Sequence, residues 1–202
     1  MIRKLVISLF FTGSLFIYAG EEHTNIQKRY EQSYRHEQIG KLDDAIKILI
    51  PLYQKYPKGY TLNLRLGWLF FLKRNYMNAI QYYKKASLIK PYAIEPKLGL
   101  VRVYLAINDY QKSQTLINEI LRTDFYNYYG NLYAIEALIG EKKYNIALEI
   151  TRKMLTLYPT DITFLEMLAR IYKETNSSYL NEVYQDILTL DPHNTLIKEV
   201  NP

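Results

Sequence analysis

From residue 26 to residue 195 the apolar positions recur three or four apart, in stretches of about a dozen residues separated by short polar turns. That spacing predicts amphipathic helices, and the clearest are a pair between residues 60 and 93. Leu66, Gly67 and Phe70 mark the first of them. Tyr76, Ala79, Tyr83 and Ala86 mark the second, and Pro91 closes it. The same punctuation returns every 34 residues: Ala45, Ala79, Ser113 and Ala147 keep that interval, and so do Pro57, Pro91, Phe125 and Pro159. A helix pair of this length cannot bury its own apolar face, so the period predicts units stacked on one another. They fall at 26–59, 60–93, 94–127, 128–161 and, in degenerate form, 162–195, with 21–25 as a short lead and 196–202 as a tail.

Each recurring position has a physical reason. Gly67 and its counterparts Ser33, Val101, Ile135 and Ala169 fall where the two helices of a unit cross, and a small residue there permits a close approach. Val101 and Ile135 therefore predict wider crossings. Tyr76, Tyr110 and Tyr144 each start a second helix, where a ring can pack between adjacent units. The closing prolines end second helices because proline lacks an amide proton and restricts the residue before it. Pro96 suits a first turn. Pro51 stands inside a helix and predicts a kink, since an interior proline costs about 3 kcal/mol or more in a straight one.

The order of an aromatic, Leu-Gly, an aromatic, Ala, an aromatic and Pro resembles the tetratricopeptide repeat over essentially the whole chain after residue 25. The leading aromatic of that pattern is missing, with Arg29, Asn63, Lys97, Asn131 and Leu165 in its place. The resemblance implies an all-α, right-handed solenoid of about five helix-turn-helix repeats. It also implies that the first helices line a concave groove for protein segments. The groove positions would be Tyr30, Tyr34 and Glu37, then Leu64, Trp68 and Phe71, then Leu98, Arg102 and Leu105, followed by Leu132, Glu136 and Ile139, and by Glu166, Arg170 and Lys173. The first half is apolar and aromatic. Trp68 is the only tryptophan. The Lys and Asn pair with which chaperone-binding relatives grip a terminal carboxylate is absent, since Tyr30, Tyr34, Leu64 and Trp68 stand there. Burying Trp68, Phe71 and Leu98 would contribute about 1.5 to 3 kcal/mol each, against about 8 kcal/mol net for a micromolar complex. Such a groove predicts weak binding unless the partner segment is long or repeated.

Composition narrows the setting. Arg3 and Lys4, the apolar run 5–18 (LVISLFFTGSLFIY) and the small Ala19-Gly20 have the layout of a secretory signal peptide at 1–20, cleaved near Ala19 or Gly20. A periplasmic or secreted bacterial protein is expected. Without cysteine there is no disulfide and no acylated lipoprotein terminus. Loss of Arg3 and Lys4 lowers the formal charge from +6 to +4, and charges of both signs alternate along the chain, which reads as a solvated surface rather than a nucleic-acid footprint. No nucleophile, carboxylate-pair or phosphate-loop motif is present, so no enzyme and no cofactor are expected. His36 fills a slot held elsewhere by Phe70 and Tyr104, and is expected to pack. His23 would complete a square-planar Cu(II) or Ni(II) site only if the mature chain began at Glu21. The expected role is an exported scaffold for envelope proteins or peptide segments. The alternative is a carbohydrate-binding module of polysaccharide export that stacks sugars on Tyr30, Tyr34, Trp68 and Phe71.

Overall fold

The computed structural model describes residues 23–198. The signal-like segment, its cleavage site, Glu21-Glu22 and residues 199–202 lie outside them. The described residues are helical from 23 through 38, labelled α1. There follow α2 (Leu42–Lys55), α3 (Tyr60–Leu72), α4 (Tyr76–Ile89), α5 (Glu95–Ala106), α6 (Tyr110–Thr123), α7 (Tyr128–Gly140), α8 (Tyr144–Leu157), α9 (Ile162–Glu174), α10 (Leu180–Leu190) and the short α11 (Thr195–Lys198). No strand occurs among the described residues, and the fold is an all-α helical repeat. The chain divides at Tyr92/Ala93 into two compact units.

Helix starts match the sequence expectation. Tyr76, Tyr110 and Tyr144 open α4, α6 and α8. Asn75, Asp109, Asn127 and Asp161 cap the helices that follow them, each side chain accepting the amide three residues on. Pro96 sits in the first turn of α5, whereas α2 continues through Pro51 without interruption to Lys55. Near that proline, an Arg29 guanidinium N–H donates to the Ile48 carbonyl at 3.2 Å.

The turn between the two helices of each pair is built one way throughout. Gly40, Arg74, Asn108, Lys142 and Asn176 all have φ between 52° and 73°. They lie 34 residues apart. In each turn the left-handed residue donates its amide three residues back, and the next residue donates its amide five back, as Arg74 to Phe71 and Asn75 to Phe70 do. The repeat thus shows in backbone conformation even in the fifth pair, where α10 starts only at Leu180.

The first unit is packed around Ala45, Leu49, Leu52, Leu62, Leu66 and Leu69 from α2 and α3. A Cβ on Gly67 would come within 2.8 Å of the Tyr83 ring, so glycine is what lets α4 close onto α3. Val101 and Ile135, the larger residues of the same slot in the second unit, are fully buried. In the second unit, Val101, Ile117, Ile120, Ile135, Ala147, Met154 and Phe164 form one core. Leu165, Leu168, Tyr184, Ile187 and Ile197 form another, and Ile197 of α11 covers the end of α9 and α10.

Two departures from the repeat pattern have a structural use. The Asn63 amide donates to the Pro57 and Gly59 carbonyls at 3.0 and 2.8 Å. Asn131, 68 residues on, donates to the Phe125 and Asn127 carbonyls, both at 3.0 Å. A buried amide clamps the preceding turn where the family pattern places a ring.

Candidate functional site

In the first unit α1 and α3 form an open cleft of about 810 Å³, lined by Tyr30, Tyr34, Glu37, Gln38, Thr61, Leu64, Arg65, Trp68 and Leu72. Of the sequence-nominated groove residues, Tyr30, Tyr34, Leu64 and Trp68 therefore meet at one place. Phe71 does not line the cleft. It stands behind Trp68, stacked on it at 5.7 Å between ring centroids, and reaches Tyr76 at 6.1 Å.

Glu37 organises the wall. One carboxylate oxygen accepts the Trp68 indole N–H at 2.6 Å, and the other takes an Arg65 guanidinium N–H. Arg65 is only 6% exposed. Its guanidinium also lies 3.8 Å from the centroid of the Tyr34 ring and donates to Ser33 Oγ at 3.2 Å. A buried cation is tolerated because it meets both a carboxylate and a ring face. Tyr30 and Thr61 exchange a hydrogen bond at 3.3 Å, and burial raises the Tyr30 hydroxyl above its ordinary pKa. Several of these contacts join residues 31 apart, one helical turn short of the 34-residue period. Consecutive first helices thus stack with a one-turn stagger, and this offset decides which side chains meet.

The second unit uses the same slots differently. Leu98 and Leu105 are half-buried and pack on the unit's own core. Arg102 donates through Nε and Nη2 to the Tyr133 hydroxyl at 3.0 and 2.7 Å, again across 31 residues. Glu136 is raised above the ordinary carboxylate value by burial, and the charges of Arg170 and Arg102 oppose that shift. Burial also raises Tyr133, against the influence of Arg102. Leu132 and Ile139 are core residues.

Residue-by-residue reading missed one large signal that a count by unit supplies. After the signal-like segment, residues 21–92 hold thirteen Lys and Arg against six Asp and Glu, a formal +7, whereas residues 93–202 hold eleven against fourteen, a formal −3. The charge is divided between the units rather than evenly mixed. His36 is half-buried, with Nδ1 3.9 Å from Asp44. No group of three or more His, Asp or Glu side chains suited to a metal occurs among the described residues. His23 is exposed, and the Glu21-Glu22 part of its possible copper site lies outside the described residues.

This arrangement of helix pairs is a tetratricopeptide-type fold. The chain is similar to a tetratricopeptide-repeat protein, TTC0263, of Thermus thermophilus, with a TM-score of 0.72 and 12% identity over 86% of this chain and 95% of that one. It is likewise similar to MamA from Desulfovibrio magneticus, with a TM-score of 0.70 and 14% identity over 85% and 97% of the two chains. No protein-family model and no curated protein matches the sequence.

Proposed function

We propose that the protein is an exported, non-catalytic adaptor of the bacterial envelope that holds a segment of a partner protein in the cleft of its first unit. The observation that carries this reading is the convergence of Tyr30, Tyr34, Leu64 and Trp68 on one open cleft. Leu64 and Leu72 offer apolar contact, while Gln38 and Thr61 supply polar groups for a partner backbone. Tyrosine and tryptophan are common anchors in such contacts. The cleft admits about two or three apolar side chains, worth roughly 1.5 to 3 kcal/mol each, so tight binding requires a segment that extends beyond it. Export rests on the basic start, the apolar run 5–18 and Ala19-Gly20.

The glycan alternative has less support, because sugar stacking needs open ring faces. Arg65 covers one face of Tyr34, and Phe71 stacks on Trp68. A photo-crosslinking residue placed in living cells at Leu64, and separately at Lys153 of the second unit, tests the proposal. Adducts to a protein from position 64 alone, in the envelope fraction, are the expected result. Identical adducts from both positions, or a chain found only in the cytosolic fraction, would overturn it.

A further inference from the structure

The positive excess of the first unit is not neutralised within it. Three of its four described acidic residues are already met by cations, Glu31 by Arg35, Glu37 by Arg65 and Asp43 by Lys73, and the fourth, Asp44, lies 3.9 Å from His36. Much of the remaining charge sits on the second helices, with Lys47 and Lys55 on α2, Lys84 and Lys85 on α4, and Lys58 and Lys90 just past their ends. On α4 these lysines share a face with large apolar side chains. Met77, Gln81, Lys84 and Leu88 follow the spacing i, i+4, i+7, i+11 and so form one stripe. Met77 is 77% exposed, Leu88 81%, and Tyr92, beyond the helix end, 97%. Lys85 borders the stripe, its ammonium 5.0 and 5.5 Å from the ring centroids of Tyr53 and Tyr82.

We infer that this second-helix face of the first unit, centred on α4, docks on an anionic phospholipid surface. Ammonium groups spaced along a helix suit lipid phosphates, and apolar tips between them suit the boundary between headgroups and acyl chains. Nucleic acid fits the same charge less well. It favours bidentate arginine and stacking rings, whereas this unit has nine lysines to four arginines, and Met77 and Leu88 would have no role. The cleft residues lie on α1 and α3, so docking through α4 uses none of them.

Sedimentation with vesicles of phosphatidylcholine alone and with added phosphatidylglycerol tests this. Where the apolar segment 5–18 is retained it contributes equally to the native chain and to every variant, so the readout is the increment on anionic vesicles and its loss in each variant. That increment should appear, weaken with salt, and fall about thirty-fold in a Lys84→Gln/Lys85→Gln variant, at roughly five- to sixfold per lysine. Met77→Ser/Leu88→Ser, at exposed positions that leave folding intact, should also reduce it. Arg152→Gln/Lys153→Gln in the second unit should not. No increment, or equal loss from the variants of both units, would overturn the inference. So would binding to polyglutamate or to single-stranded DNA, but not to vesicles, with the same sensitivity to Lys84 and Lys85.

Discussion

One slot of the repeat holds Tyr34 and Trp68 in the first unit and Arg102, Glu136 and Arg170 in the second. The helices that carry it stop in the same register, and the turn after each has a left-handed residue at the same position. Yet the first unit has an open cleft at this slot, and the second has a polar network of Arg102 on Tyr133 with Glu136 close to two arginines. The backbone repeat decides which positions meet, at a stagger of one turn. The side chains placed there decide whether the result is a receptive surface or a closed one. Glu37 and Glu136 make the contrast sharp: the former has both oxygens occupied by firm donors, and the latter is buried near charges without so close an ion pair.

The largest test of this contrast is Glu37→Ala. It leaves the Arg65 cation buried without its carboxylate, and should destabilise the first unit by about 3 to 5 kcal/mol in urea denaturation. Tyr133→Phe in the second unit, which removes the acceptor of a half-buried arginine, should lose only about 1 kcal/mol. Comparable losses would mean that the two networks are equivalent. Next is Gly67→Ala, whose new methyl would press on the buried Tyr83 ring and should reduce stability by about 1 to 3 kcal/mol. A Tyr83→Leu background should relieve much of that loss.

Smaller gains are expected at the left-handed turns. Arg74→Gly in the first unit and Lys142→Gly in the second should each stabilise by about 0.5 to 1 kcal/mol in thermal melts, because glycine enters this region without strain. Equal gains would show that the two units share their turn energetics although their surfaces differ. The last test is read as a slope. Burial raises the folded-state pKa of Glu136 above its ordinary 4.5, so folding favours the protonated form. Stability should therefore fall as pH climbs from the ordinary value through the raised one, and stay level beyond it. Glu136→Gln should remove that fall. A wild-type stability that rises over the same range, with the slope lost in the variant, would reverse the assignment.

Much of the architecture could be read from the period, because small residues and helix-ending prolines leave marks in a sequence. The period also sets Tyr30, Tyr34, Leu64 and Trp68 at corresponding places on two successive first helices. The one-turn stagger could not be read, since it follows from how successive helix pairs stack, and with it the meeting of Glu37 with Trp68 and Arg65. Nor could the left-handed turns. Only Gly40 among the five carries the residue that such a backbone favours most, and Arg74 and Lys142 give no hint of it. Asn63 and Asn131 stand in the sequence as departures at a ring position, whereas in the fold their amides hold the preceding turn. The division of charge was in plain view in the composition, but it becomes visible only when the chain is counted on either side of Tyr92.

The bond from the Trp68 indole to Glu37 gives this chain a built-in optical reporter. Its single indole lies on the wall of the cleft with its N–H held by a carboxylate. Its emission colour will follow the wetness of that wall and the strength of that one bond. An occupant that dries the cleft should move the spectrum to the blue, and one that draws Glu37 away should change it in another manner. The second unit has no tryptophan and stays dark in the same experiment.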